Sequence, residues 1–257
     1  MARYSKKSSK GGSLTRAIEV FVEGVGFTRS FTHPYVGEHI GPLWVLRDAP
    51  RKKAEDYRRE EWCVFKTPAG VADRTIREHT RGSFAICAFH GIDSPDDPIR
   101  AEYKALGYSL GATEGVMVHA LKQIPTIQSP ATITRVLTQE LADAVAKHAK
   151  YGQILPEHLT DDAPIRLYAA LIDDEVVGWV RSIVCKDGSW VSNMEVRPEF
   201  RRQKIASGLL VKMMRDDRKQ GIKASTLTSS KAGAKLYTTL GYQPLGTLLL
   251  FTPLKET

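Results

Sequence analysis

Cysteine is scarce in this sequence, and long hydrophobic runs are missing. Its 257 residues hold three cysteines, Cys63, Cys87 and Cys185, an odd number with no C-x-x-C pair. This pattern favours neither a disulfide framework nor a zinc knuckle, and we interpret all three as buried small side chains. No segment reaches the roughly 18 consecutive apolar residues of a membrane-spanning helix, so the sequence predicts no membrane partner.

The first residues lack the apolar core of a secretory leader. Residues 1–16 are basic and small, and no apolar stretch of leader type follows them. We therefore expect a flexible basic tail over residues 1–16 and a cytoplasmic location. Phosphate-loop, nucleophile-elbow and zinc-protease motifs are also missing, and the seven histidines show no metal-ligand spacing, so we predict no metal.

Positive charge is concentrated in two segments. The formal net charge is +8, and residues 1–16 carry five basic side chains without an acidic one. Residues 197–223 hold nine basic side chains against three acidic ones. A local excess of this kind suits a polyanion, either a nucleic acid or one small ligand such as a pyrophosphate. Because the tail has no aromatic residue besides Tyr4, nucleic acid ranks last.

A short motif occurs twice. The pattern Tyr-x-x-Leu-Gly-Tyr at residues 103–108 returns at residues 237–242, 134 positions later, which is about half the chain. Each copy follows a helix-like stretch and precedes a strand-like one, so the sequence predicts two related halves. Two prolines interrupt regular structure within residues 123–130, and we place the boundary there, between halves spanning residues 17–124 and 130–257.

Periodicity predicts an α/β (α+β) fold with a mixed, mostly antiparallel sheet flanked by helices. In the second half, Thr138 caps a helix, and the apolar stripe from Ile205 to Met214 marks another helix that ends at Gly221. The strands predicted there are 166–172, 176–183, 190–196, 224–228 and 247–251, with a further helix over 230–240. The first half is predicted to have strands at 17–22, 43–46, 84–89 and 116–121, a solvated helix or loop at 51–62 and a helix at 99–106.

The most informative stretch is residues 194–206, where a predicted strand gives way to the helix from Ile205. A turn that feeds a helix presents unpaired backbone N–H groups and the positive end of the helix dipole, which suits a phosphate group. Arg201, Arg202 and Lys204 add positive charge to the same turn. The alternative is an ordinary basic loop on the surface.

This stretch resembles the acetyl-CoA motif of the GNAT superfamily of N-acetyltransferases, Val-x-Pro-x-x-Arg-x-x-Gly-x-Gly/Ala. Val196, Pro198, Arg201 and Ala206 match it in register, whereas Lys204 stands where the motif has glycine. The second motif of that family, Leu-Tyr-x-x-x-Gly-Phe/Tyr, resembles residues 236–242. The resemblance covers the second half, and the repeated motif makes the first half similar to a degenerate GNAT domain.

The resemblance implies acetyl-CoA as co-substrate and a set of residues that bind it. The pantetheine arm would lie along the strand, and the pyrophosphate would lie on the backbone amides of the turn. The implied cofactor-binding residues are Met194, Glu195, Val196, Arg201, Arg202, Gln203, Lys204, Ile205, Ala206, Ser207 and Ser230. Since glycine at position 204 would allow the closest approach of the phosphates, the lysine must turn outward or place its ammonium group beside a phosphate.

Direct acyl transfer needs a base for the acceptor amine and an acid for the departing thiolate. Tyr237 matches the tyrosine that acts as the acid in many GNAT enzymes, and the alternative is a packed aromatic on a core-facing helix. Glu195 is one candidate base, although alternation along its strand leaves open which way it points. Glu157 and His158 are the other candidates.

The resemblance thus implies an N-acetyltransferase that moves an acetyl group from acetyl-CoA to a primary amine of an unidentified acceptor, acting as a monomer or homodimer. A non-catalytic acyl-CoA-binding or regulatory module is the alternative, and a nucleic-acid-binding protein is the third. Residues 42–83 hold no Arg-x-x-Gly-x-Ala sequence, so the first half is expected to lack a phosphate site. We expect it either to shape the acceptor site or to pack against the second half.

Overall fold

Residues 13–254, the part of the chain that this computed structural model describes, form six α-helices and eleven strands. The helices are α1 (Leu14–Arg29), α2 (Ala69–His79), α3 (Asp97–Ala105), α4 (Gln139–Ala149), α5 (Ile205–Lys219) and α6 (Lys231–Thr239). The strands are β1 (Tyr35–Ile40), β2 (Leu43–Asp48), β3 (Glu60–Phe65), β4 (Phe84–Gly91), β5 (Tyr108–His119), β6 (Thr132–Arg135), β7 (Ile165–Ile172), β8 (Glu175–Cys185), β9 (Gly188–Val196), β10 (Ala224–Ser229) and β11 (Gln243–Pro253). No helix among these residues is both long and apolar enough to cross a membrane.

The predicted elements of the second half are confirmed. The hydroxyl of Thr138 accepts a hydrogen bond from the Leu141 amide at 3.3 Å and caps α4. Asp173 and Asp174 both have positive φ, 48° and 61°, as expected for the tight turn between β7 and β8. The fold class is also confirmed, because eight of the ten neighbouring strand pairs are antiparallel, the other two are parallel, and helices cover both faces of the sheet.

The strand predicted over residues 17–22 is wrong, because this segment lies in α1. The Ser13 hydroxyl accepts from the Arg16 amide at 3.2 Å and starts the helix there, so residues 14–16 do not belong to a tail. A short apolar run does not separate strand from buried helix by itself, and here the cap decides. The remaining part of the predicted tail, residues 1–12, lies outside the described residues.

All eleven strands form one sheet in the order β1-β2-β3-β4-β11-β5-β10-β9-β8-β7-β6. The last strand of each half has crossed to the other, since β11 pairs with β4 and β5 pairs with β10. These two exchanged strands are antiparallel neighbours, with Leu248 opposite Glu114. The two residues are 134 positions apart, the same offset as in the repeated motif. A pseudo-twofold axis therefore passes between β5 and β11.

Three layers enclose three clusters of buried apolar side chains. On one face of β7, Ile165 and Leu167 belong to the core that contains α1 and α4, whereas Tyr168 on the other face packs in the core that contains α5 and α6. Helices α2 and α3 cover the first half in a separate cluster with Trp62 and Tyr103. Helix α1 contacts strands of both halves, including β1, β2, β8 and β9. It therefore forms a roof across the boundary between them.

A buried charged network holds α5 on the sheet. Asp217 accepts hydrogen bonds from Arg166 of β7 at 2.9 Å, from Ser182 of β8 at 2.9 Å and from Ser189 of β9 at 2.7 Å. Asp217 and Arg166 are both fully buried. Because three strands converge on one carboxylate, the network fixes the position of α5 and hence of its N-terminus.

The prediction that all three cysteine side chains are buried is also confirmed. Cys63, Cys87 and Cys185 are free thiols, and each is buried. Cys63 and Cys87 lie opposite each other on the parallel strands β3 and β4. They serve as small core side chains on the face that α1 covers.

Candidate active site

The strands β9 and β10 run parallel and then separate. They are paired only from Gly188 with Ala224 to Trp190 with Thr226, so the remainder of β9 has no partner on that side. A β-bulge lies in this remainder, because Trp179 and Arg181 of β8 face Glu195 and Ser192. Asn193 within the bulge has a φ of 48°. The extra residue bends β9 away from β10 and opens a gap in the sheet.

The turn between β9 and α5 presents backbone amides beside that gap. Lys204 ends the turn in the left-handed conformation with φ 62°, and no side chain caps α5. The first intrahelical bond runs from the Gly208 amide to the Lys204 carbonyl at 2.9 Å, so the amides of Ile205, Ala206 and Ser207 precede it. Consecutive free amides at a helix N-terminus form an anion-binding concavity.

A cavity of about 860 Å³ lies between this turn and α6. We call it the cofactor cleft. Its lining residues are Met194, Glu195, Val196, Phe200, Arg201, Arg202, Lys204, Ile205, Ala206, Ser207, Ala232, Gly233, Lys235, Leu236 and Thr239. The structure thus brings together nine of the eleven residues that the sequence predicts to bind acetyl-CoA.

The other two do not line the cleft. The hydroxyl of Ser230 accepts a hydrogen bond from the Gly233 amide at 3.2 Å and caps α6. Gln203 is exposed in the turn. Contact of either residue with a cofactor stays a prediction.

A second cavity of about 440 Å³ lies beneath α1, where the two halves meet. We call it the seam cavity. Its lining residues are Phe21, Val25, Arg29, Glu61, Cys87, Glu114, Trp190, Val191, Ser192, Asn193, Met194, Leu227, Thr228, Tyr237, Leu248 and Leu250. Both halves contribute to it, and Met194 lines the cofactor cleft as well. The two cavities therefore adjoin at Met194 of β9, beside the gap between β9 and β10.

Comparison with protein families agrees with this arrangement. Residues 163–244, which include the opened strand, the turn and α6, match the family model described as an acetyltransferase (GNAT) domain. The second half contains a GNAT domain. No curated protein sequence matches the chain.

Solved structures extend the likeness over nearly the whole chain. A GCN5-related N-acetyltransferase from Kribbella flavida is 17% identical and has a TM-score of 0.65, with 96% of this chain and 98% of that one covered. A GCN5-related N-acetyltransferase from Sphaerobacter thermophilus is 17% identical with a TM-score of 0.56, covering 82% and 76%. A tandem GNAT protein from the clavulanic acid biosynthesis pathway is 12% identical with a TM-score of 0.50, covering 83% and 80%. At these identities the likeness shows a shared fold.

Tyr237 of the GNAT domain, for which the sequence resemblance implies the role of an acid, lines the seam cavity and not the cofactor cleft. Its side chain is buried, with 8% exposed. Burial, together with the nearby Glu114 carboxylate, raises the pKa of Tyr237 to about 12. The hydroxyl therefore keeps its proton at neutral pH and is able to donate it.

Glu114 is the functional candidate that sequence analysis missed. It lies on β5, in the first half, and reaches the GNAT domain because that strand is exchanged between the halves. The sequence holds one hint, a carboxylate on a strand whose repeat counterpart, Leu248, is apolar. Only the strand exchange brings Glu114 into the same cavity as Tyr237.

The bases proposed from sequence lie elsewhere. Glu195 is exposed and lines the cofactor cleft but not the seam cavity. The His158 ring packs 5.4 Å from that of Phe27 and 6.0 Å from that of Phe31, and neither His158 nor Glu157 lines either cavity. The carboxylates in the seam cavity are instead Glu61 and Glu114.

These two carboxylates differ in their partners. Glu61 is buried, forms an ion pair with Arg29, and lies 3.7 Å from the guanidinium of Arg59. Within residues 13–254, Glu114 has no ion-pair partner. Arg29 thus neutralises Glu61, and one uncompensated negative charge remains in the cavity, next to the hydroxyl-bearing Tyr237.

The first half has a smaller cavity of about 380 Å³ at the equivalent place, lined by Phe65, Lys66, Thr67 and Tyr103 among others, but its strands do not separate there. Its parallel strands β3 and β4, the counterparts of β9 and β10, stay paired from Glu60 with Phe84 to Phe65 with Phe89. Three residues, 66–68, then lead directly into α2, so there is no room for a turn like that of residues 197–204. The predicted absence of an Arg-x-x-Gly-x-Ala turn thus coincides with a closed sheet at this position.

Proposed function

We propose that this protein transfers an acetyl group from acetyl-CoA, bound in the cofactor cleft, to an amine bound in the seam cavity. The observation that supports this most is that Met194, beside the gap between β9 and β10, lines both cavities. A donor on one face of the sheet and an acceptor on the other would thus share one reaction point. Acyl transfer is also the chemistry associated with the GNAT fold of the second half.

The residues of the cofactor cleft fit a CoA thioester. The amides of Ile205, Ala206 and Ser207 would receive the pyrophosphate oxygens at the N-terminus of α5. Arg202 and Lys204 add positive charge at the same rim, and both are exposed. The Arg201 guanidinium donates to the Val196 carbonyl at 2.9 Å and so fixes the turn against the end of β9.

The seam cavity supplies the proton transfers. The Glu114 carboxylate would take the proton that the acceptor ammonium must lose before its nitrogen attacks the thioester carbonyl. As the C–N bond forms and the C–S bond breaks, the Tyr237 hydroxyl would give its proton to the departing thiolate. A neutral tyrosine and a carboxylate in one cavity provide the acid and the base that direct transfer requires.

Calorimetric titration of acetyl-CoA into the full-length protein is the first test. Saturable binding, followed by release of free thiol when an amine is added, supports the proposal. Binding without thiol release for any amine would favour the non-catalytic acyl-CoA-binding module. That alternative arises because Lys204 stands where the acetyl-CoA motif has glycine. If acetyl-CoA does not bind at all, the proposed function is overturned, and only the assignment of the fold remains.

A further inference from the structure

We infer that the acceptor is a small monocationic amine with an apolar body, and that neither a polypeptide lysine nor a free amino acid takes its place. This inference rests on the proposed function and narrows its acceptor from any primary amine to one chemical class. Three features of the seam cavity support it: the helix α1 that covers it, its single uncompensated charge and the apolar side chains that form half of its lining.

The roof of the cavity is pinned at both ends. At its first turn, α1 is tied to the second half because Arg16 donates to the Asp187 carboxylate at 2.9 Å and to the Cys185 carbonyl at 3.0 Å. At its last turn, Arg29 forms the ion pair with Glu61. An extended polypeptide would have to displace this helix, whereas a compact ligand fits within about 440 Å³.

The middle of α1 lies directly on the sheet. A Cβ added to Gly24 would come within 2.4 Å of the Trp190 side chain, so the glycine permits this close approach. Phe21, one turn earlier, packs edge-on against Trp190 and Phe89, each at 5.4 Å between ring centroids. The roof is thus held by side-chain packing as well as by the two anchored ends.

The charge of the cavity selects a single cation. Glu114 is its only carboxylate without an ion-pair partner among the described residues, so one ammonium group balances it. Arg29 is the only basic side chain in the described lining, and it already forms an ion pair with Glu61. The carboxylate of a zwitterionic amino acid would therefore enter the cavity without a cationic partner and beside the like charge of Glu114, which is unfavourable.

The remaining walls suit an apolar body. The polar side chains of β9 are already engaged, since Ser192 accepts from Arg181 at 3.0 Å and Asn193 donates to Gln153. The apolar lining side chains are Phe21, Val25, Trp190, Val191, Met194, Leu227, Leu248 and Leu250. An aromatic ring or short alkyl chain attached to the amine would bury its surface against them.

The test compares three acceptors at saturating acetyl-CoA with the full-length protein, using release of free thiol. Phenethylamine has the inferred form, phenylalanine adds a carboxylate to the same skeleton, and a short lysine-containing peptide represents polypeptides. We expect kcat/KM for phenethylamine to exceed that of the other two by about 100-fold or more. Equal or better transfer to the peptide or to phenylalanine would overturn the inference while the proposed function stands.

Calorimetric titration of phenethylamine without acetyl-CoA examines the cavity independently of the reaction. Loss of binding in Glu114→Gln supports an ammonium site at Glu114. Glu140→Gln is the control, because it makes the same change at an exposed position on α4 and should keep the binding. Unchanged binding in Glu114→Gln overturns the ammonium site, provided that thermal unfolding shows the variant to be folded. Because acetyl-CoA binding is measured separately, failure of the donor site and failure of the acceptor inference give different results.

Discussion

At the residue scale, the proposed function depends most on two side chains: Lys204, at the turn proposed to bind the pyrophosphate, and Tyr237, the proposed acid. Lys204 adopts a left-handed conformation at the position where the acetyl-CoA motif has glycine. The conformation that favours glycine is therefore present although the glycine is absent. Tyr237 is buried and holds its proton, in contrast to an exposed surface tyrosine.

Lys204→Gly is expected to stabilise the fold by about 0.5–1 kcal/mol, because glycine adopts positive φ without the penalty that a side chain incurs. Denaturant unfolding measures this change, and calorimetry measures the affinity for acetyl-CoA. Lys150→Gly is the matched control, since Lys150 has a φ of 66° and lines neither the cofactor cleft nor the seam cavity. It should stabilise the protein similarly without changing acetyl-CoA affinity, and a loss of stability in Lys204→Gly would contradict the strain argument.

Tyr237→Phe is expected to lower kcat about 100-fold and to leave acetyl-CoA affinity unchanged, because only the proton donor is lost. With a pKa of about 12, the Tyr237 hydroxyl should cause no decline of the rate as the pH rises to about 11. Steady-state kinetics across pH measures both effects. Tyr103→Phe, at the equivalent position of the repeat, removes a buried hydroxyl without a hydrogen-bond partner and should retain full activity. Full activity in Tyr237→Phe would exclude the proposed acid.

Single elements show how local structure serves the site. The bulge in β9 opens the gap, the uncapped N-terminus of α5 supplies free amides, and the exchanged strand β5 carries Glu114 to the cavity and ends at His119. His119 is buried, and its Nδ1 accepts a hydrogen bond from the Leu121 amide at 2.9 Å. This contact requires an unprotonated nitrogen and holds the chain where it leaves the sheet.

The end of β5 should make stability depend on pH. Burial lowers the pKa of His119, so the unfolded chain binds a proton more readily than the folded one. Stability contributed by the neutral ring is complete above the unfolded pKa of about 6.5 and is lost as the pH falls below it. Unfolding free energies measured between pH 7 and pH 5 should therefore fall for the native protein and fall less for His119→Asn, which keeps an acceptor. His79→Asn, at an exposed position on α2, should keep the native slope.

At the scale of the whole molecule, the exchange of strands makes the two halves interdependent. Without the first half, β10 would lose its pairing with β5, and β11 would lose both of its neighbours. Removing α1 would also expose the core face that it covers in the second half. The first half thus supplies strand partners for β10 and β11 and part of the lining of the seam cavity.

Residues 130–257 expressed alone should therefore fail to unfold cooperatively, because unpaired strand edges and an uncovered apolar face remain. Circular dichroism during thermal unfolding measures this. As the control, the intact protein cut by a protease at a site engineered within residues 123–130 should keep its halves associated and its transition cooperative. A stable, monomeric second half would show that the exchange is dispensable.

The structural features that the sequence predicted are those that depend on residues close together in the sequence. The elements of the second half, the turn from Arg201 to Lys204 and the repeat itself follow from periodicity, caps and motif spacing. Residues 17–22 show where this fails, since a short apolar run suits a strand or a buried helix equally well. Strand alternation left open which way Glu195, one of the three candidate bases, points, and the structure places it in the cofactor cleft and not in the seam cavity.

The amino-acid sequence by itself determined the fold class and the repeated motif, because each follows from contiguous residues, and the resemblance of residues 194–206 to a family motif predicted most of the residues that line the cofactor cleft. Only the tertiary structure decided that β5 and β11 change places, that α1 roofs the boundary and that Glu114 lies with Tyr237 in one cavity. The physical reason is that strand order is selected by the burial of apolar faces and the pairing of edges across the whole chain. No local pattern around Glu114 carries that information.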